Sequence, residues 1–248
     1  MLHKKYTIAM VNYLNAKPFL FGFKNVEGVS EIFDISLLNP AECARAFQQN
    51  KVDIALVPVG SLLSLQNYKR ITSYGIAADE EVRTVCLFSN QPPDQWKEVI
   101  LDDHSMTSVI LAKLIIRDVL KISPSFVTKK VENHNLQDGQ AILMIGDKVF
   151  QYEQNFEIKL DLASWWKNWT GLPFVFAVWI AKTEISDEII QKLNPVFEYG
   201  LAHIDEIISQ SPENPELLTL YYKKYIHYFL GKDYEKGLET YLAKAVTI

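Results

Sequence analysis

Short apolar runs alternate with helix-period segments along most of the chain. YTIAMV (residues 6–11) predicts a first strand and SEIFDIS (residues 30–36) a second. In NPAECARAFQQN, Asn39 suits a helix N-cap and Pro40 the first helical position, where a missing N–H costs nothing. VDIALVPV (residues 52–59) is apolar almost throughout, as expected of a strand covered on both faces. A second series has the same order, with EVILDD, the helical TSVILAKLIIRDVL, then SFVTKKV and AILMIGD. This β-α-β-α succession predicts an α/β fold with mainly parallel sheets.

Two further apolar runs, VRTVCLFS (residues 82–89) and FVFAVWIAK (residues 174–182), read as strands that cross between two lobes. The expected division is residues 1–88 with 182–248 in one lobe and 89–181 in the other, with a ligand cleft between them. A single doubly wound sheet is the rival arrangement. The last third carries three helical patterns, one from Ser186 to Gln210 kinked at Pro195, one entered at Asn214-Pro215 and one starting near Asp233. These read as packing helices without chemistry.

In open α/β sheets, ligands bind beyond the carboxyl ends of the strands. Several of those ends carry small polar residues: Gly60-Ser61, then Ser105, Thr107 and Ser108 at a helix start, and Gly146-Asp147. Helix N-termini hold carboxylates or phosphates through unpaired N–H groups, yet Ser, Thr and Asp are also ordinary N-caps. NYLNAKPF poses the same choice at the end of the first strand. Asn15 either caps the next turn or presents its amide to a ligand as donor and acceptor. Lys17 reads as solvated, as a contact to an anion, or as an imine-forming amine. Strand alternation points Arg83 and Thr84 to opposite faces, so only one of them serves a given cleft. Trp165, Trp166 and Trp169 read as lobe packing, with ligand stacking as the alternative.

Composition narrows the classes. With 248 residues, 48% of them hydrophobic, the chain can build a substantial core. A net charge of −5 gives no basic surplus for nucleic acid, and pairs such as Lys129-Lys130 and Lys223-Lys224 read as solvated faces. Cys43 and Cys86 lack metal-ligand spacing and read as buried thiols in a reducing, cytoplasmic setting. No apolar run is long enough to span a bilayer, and the N-terminal region has no signal-like stretch. Glycine-rich nucleotide motifs, the GxSxG elbow, HExxH and Cys/His metal patterns are all absent. Among the five histidines, only His104 falls near a candidate strand end, and it is given no role.

Taken together and in order, VNYLNAKPF, DIALVPVGSLLSL, YGIAADEEVRTVCLFS, ILDDHSMTSVILAKLI, AILMIGD and DLASWWKNWTGLPFVFAVW resemble the chorismate dehydratase family of the futalosine route to menaquinone. That family is related to the 1,4-dihydroxy-6-naphthoate synthases. The resemblance implies a two-lobed fold of the type II periplasmic-binding-protein kind. It also implies a cofactor-free hydro-lyase that turns chorismate into 3-[(1-carboxyvinyl)oxy]benzoate, without metal, nicotinamide or flavin. It places Asn15 and Thr84 beside the reacting centre. Gly60, Ser61, Ser105, Thr107, Ser108 and Gly146 would bind carboxylate, and Asp147 would be an N-cap or a proton acceptor. Other readings are a cytoplasmic anion-binding protein without catalysis and the naphthoate synthase itself.

Overall fold

The computed structural model describes residues 5–102, 106–129 and 135–248. Its larger sheet has the order β11-β4-β10-β3-β1-β2, from β1 (Tyr6–Val11), β2 (Phe33–Leu38), β3 (Ile54–Pro58), β4 (Tyr68–Ala78), β10 (Phe174–Lys182) and β11 (His227–Phe229). The smaller sheet has the order β7-β6-β8-β5-β9, from β5 (Val85–Ser89), β6 (Glu98–Asp102), β7 (Ser125–Lys129), β8 (Gln140–Ile145) and β9 (Ile158–Asp161).

Both sheets are mixed rather than mainly parallel. β1 runs parallel to β2 and β3, and β6 parallel to β7 and β8, whereas every pairing of β4, β5, β10 and β11 is antiparallel. The parallel part is the βαβ portion that hydrophobic order predicts. Of the antiparallel strands, β4, β5 and β10 flank the passages between sheets and β11 adds an edge to the larger one, and an apolar run says nothing of its direction.

The passages between sheets are also shorter than expected. β5 pairs with β8 and β9, so it lies wholly in the smaller sheet, and β10 pairs with β3 and β4, so it lies wholly in the larger one. The chain leaves the larger sheet after Ala78 and enters the smaller at Val85. It returns through the helix Leu162–Thr170 and the residues leading to Phe174. β10 belongs where it does because Trp179, fully buried, packs its ring against Phe19, Phe23 and Phe197. Continuous apolarity reports burial on both faces, and cross-strand packing decides which sheet is joined.

One apolar core joins both sheets, including Ile8, Val57 and Trp179 with Leu87, Val99 and Leu143. The alternate residues of the smaller sheet, Cys86, Phe88, Ile100, Ile142 and Met144, form a second cluster on its other face. Both cysteines are buried and unpaired. The helix Pro40–Gln48 starts in a complete capping box, with the Asn39 side chain accepting from Glu42 N and the Glu42 carboxylate accepting from Asn39 N. Trp166 is buried against Phe174 and Tyr241 and donates to Pro173 O at 3.3 Å, so this tryptophan packs the returning passage to the C-terminal helix Lys232–Ala245. No helix among the described residues is long and apolar enough to cross a membrane.

Candidate functional site

A cavity with about 560 Å³ of empty space, its solvent-open part included, lies where the carboxyl ends of β1, β3, β4 and β8 converge with the starts of β5 and β10. Its polar wall includes Asn15, Thr84, Thr107 and Ser108, and its apolar wall includes Ile76 and Phe176. Among the described residues no charged side chain lines it. An anion there must be met by hydroxyls, amides and the first turn of the helix Met106–Leu114, which presents Thr107 and Ser108.

Asn15 sits in a single 3-10 turn, Leu14–Ala16, between β1 and the helix Lys17–Asn25. It caps nothing. The residue before this turn, Tyr13, makes no side-chain cap, and Asn15 Oδ1 is buried without a hydrogen-bond partner. A buried acceptor left open in this way costs stability unless a ligand meets it.

Thr84 is 1% exposed and lines the cavity, while Arg83 turns away to pair with Glu153 at 3.0 Å. The opposite facing expected from strand alternation is therefore present, although Arg83 has φ of 70°, outside any strand. Asp161 enforces this bend. It accepts from Val82 N and Arg83 N, and from Ala163 N and Ser164 N at the start of the next helix. Burial raises the Asp161 pKa, and these four N–H groups oppose the rise.

Thr107 and Ser108 also face the cavity, but the Thr107 hydroxyl is already committed. It accepts from Gly60 N at 2.9 Å and donates to Phe176 O at 3.4 Å. Gly60 and Ser61 do not line the cavity. A Cβ on Gly60 would lie 2.9 Å from Thr107 N, and Ser61 Oγ donates to Pro58 O at 2.7 Å. Gly60 and the Thr107 hydroxyl, two of the groups expected to meet a carboxylate, here dock the turn after β3 onto the helix that begins beside it. Ser105 and His104 lie outside the described residues.

Gly146 lines the cavity with φ of 74°, and its N–H donates to Thr84 O at 2.8 Å. A side chain there would be strained and would crowd the Tyr13 ring, 3.4 Å from the position of a Cβ. Asp147 does not cap the helix that follows it. Both of its oxygens accept from Leu14 N, at 3.2 and 3.1 Å, across 133 residues of chain. It therefore ties the smaller sheet's last loop to the turn that carries Asn15. Burial lifts its pKa from 3.8 to about 6, with the Leu14 N–H and Lys17 opposing and Glu213 adding to the rise.

The folded protein thus holds this proton more tightly than the unfolded chain. Asp147 stabilises the fold fully below pH 3.8, and that contribution is lost as the pH rises through about 6. Asp147→Asn is expected to flatten the fall in urea midpoint between those values. A wild-type slope preserved in the Asn variant would contradict it.

Two residues of the site escape sequence reading altogether. Tyr222 donates its hydroxyl to Leu14 O at 3.0 Å, and the Tyr221 hydroxyl lies 3.1 Å from Thr84 Oγ1. Both come from the C-terminal helical region, whose apolar spacing signals only packing. Neither cysteine offers a nucleophile, since burial pushes Cys43 up to about 12 and raises Cys86 as well. Among the described residues no three His, Cys, Asp or Glu side chains gather to hold a metal.

Comparison with known proteins agrees with this architecture. A chorismate dehydratase from Thermus thermophilus is 24% identical over 261 residues, covering 96% of this chain and 94% of its own. A crystal structure of an Archaeoglobus fulgidus protein superimposes with a TM-score of 0.80 at 12% identity, covering 98% of this chain and 97% of the other. A Candida albicans protein described as having the generic periplasmic binding protein fold gives a TM-score of 0.69 at 12% identity, covering 99% and 91%. The chain therefore has the two-sheet periplasmic-binding-protein-like fold with a helical C-terminal tail. The family described as menaquinone biosynthesis matches residues 6–247, and the chain belongs to that family.

Proposed function

We propose that the protein is a chorismate dehydratase, removing water from chorismate to give 3-[(1-carboxyvinyl)oxy]benzoate on the futalosine route. The observation that carries this reading is the open Oδ1 of Asn15 in the same largely apolar hollow as the Thr84 hydroxyl, a hollow that no charged side chain among the described residues lines. Family membership and the Thermus thermophilus relative support it.

The substrate is a dianion with a ring carboxylate and an enolpyruvyl carboxylate. Its C3–H bond breaks, the electron pair forms the new ring double bond, and hydroxide leaves C4 with the proton as water. Aromatisation drives the step, so the protein's work is to orient the substrate and exclude water. The Thr84 hydroxyl donates to the enolpyruvyl carboxylate and holds it over C3, and Asn15 Oδ1 accepts from the C4 hydroxyl. The carboxylate takes the C3 proton and passes it to the departing hydroxide. Asp147 is the competing base. Its engagement with Leu14 N through both oxygens, and its position outside the cavity lining, favour the substrate-assisted route. Two buried, unpaired cysteines fit a cytoplasmic setting.

Purified protein incubated with chorismate in the presence of a chelator is expected to yield a product lighter by one water, with an aromatic absorbance. Chorismate bound but recovered intact would make this an anion-binding protein instead. Turnover of cyclic dehypoxanthinyl futalosine alone would make it the naphthoate synthase.

A further inference from the structure

We propose that Tyr221 is a positioning residue of this site, its hydroxyl fixing the orientation in which Thr84 meets the ligand. The inference rests on the dehydratase reading and adds to it a part supplied by the C-terminal tail.

Tyr221 is 1% exposed, and its hydroxyl reaches Thr84 Oγ1 at 3.1 Å. Asn15 and Thr84 line the same cavity. The ring stands edge-on to Phe150, 5.5 Å away, just beyond Asp147 in chain order. Its neighbour Tyr222 grips Leu14 O, the carbonyl immediately before Asn15. One short segment thus touches the Asn15 turn, the entry to β5 and the loop after β8. The helix Pro215–Leu220 widens into a π turn over Tyr221–Tyr225 at this place. Single π turns re-aim side chains and recur at functional sites.

A phenylalanine would fill this space equally well, so the buried hydroxyl is retained at a desolvation cost that its partners must offset. Burial, and then the nearby Asp147 carboxylate, raise the phenol's pKa far above its ordinary value, so it keeps its proton and is able to donate. With Tyr221 as donor to Thr84 Oγ1, the Thr84 proton is left for another acceptor. The one it has is Val82 O at 3.5 Å, a contact at the limit of hydrogen bonding that a carboxylate would displace. Tyr221 therefore sets which way the Thr84 hydroxyl points before the substrate arrives.

The test is a double-mutant cycle on chorismate turnover with Tyr221→Phe, Thr84→Val and the pair. Tyr221→Phe keeps the ring packing. It is expected to lower kcat by about tenfold or more with KM within about threefold, and to cost less than about twofold once Thr84 is valine. Equal losses in both backgrounds, or full activity of Tyr221→Phe, would overturn the inference while leaving the dehydratase reading intact. Wild-type protein inert towards chorismate would overturn both. Should Tyr221→Phe not fold, a crystal structure of the wild type with the benzoate product replaces the cycle. Thr84 Oγ1 at about 3 Å from both Tyr221 Oη and a ligand carboxylate is expected. Thr84 turned away from Tyr221 would refute the role.

Discussion

Asn15→Leu is expected to melt no lower than the wild type and to turn over chorismate on the order of 10²–10³-fold more slowly. The two halves of this expectation come from one observation, the buried Asn15 Oδ1 that meets no protein donor. Replacing a buried, unsatisfied acceptor by an apolar group of similar shape is near neutral or stabilising. On the proposed reading the same replacement also removes the amide that holds the departing hydroxyl, a loss expected to be of the size seen when one transition-state hydrogen bond is deleted. Calorimetry and a product assay on one preparation decide the matter. A variant that keeps more than a tenth of the activity would remove Asn15 from the reaction. One that loses both stability and activity would make it a structural residue.

Gly200→Ala is expected to destabilise the protein by about 3 kcal/mol and lower its Tm by roughly 6–12 °C. Helix propensity alone predicts the opposite, a gain of about 1 kcal/mol, because Gly200 lies inside the helix Leu193–Ala202. Packing wins here. A Cβ on Gly200 would lie 1.8 Å from Pro18 O, and one on Gly22 would lie 1.9 Å from Val196 O. The helices Lys17–Asn25 and Leu193–Ala202 thus cross backbone to backbone, with glycine on each side of the contact. Moving them apart shifts Pro18, three residues from Asn15, so kcat should fall with stability. Gly231→Ala is the control, because nothing lies within 4 Å of the added carbon and its φ of −73° suits alanine. A Gly200→Ala protein as stable as that control would contradict the close crossing.

The strand and helix order was open to reading because it depends on local periodicity. The Asn39-Pro40 and Asn214-Pro215 helix entries are the clearest examples, and both asparagines accept from backbone N–H groups of the following turn. The candidate site was open to reading only in part. Asn15 and Thr84 line the cavity, whereas Gly60 and Ser61, from the same kind of strand-end motif, hold the scaffold. The motif is identical in both cases because helix starts and ligand sites call for the same small polar residues. Asp147 shows the same limit: an N-cap of the next helix was expected, but its carboxylate accepts instead from Leu14 N, 133 positions away.

What the chain determines by itself is the alternation of elements, the residues with buried faces and the polar character of the strand ends, since hydrophobic period and capping act over a few neighbouring residues. Only the tertiary structure decided that β5 and β10 belong to different sheets, that both sheets are mixed, and that Tyr221 and Tyr222 come back to Thr84 and to the Asn15 turn. Those outcomes depend on contacts between residues far apart in the chain, 137 and 208 positions for the two phenols, where a partner is set by how helices and sheets pack and leaves no trace in the spacing of its neighbours.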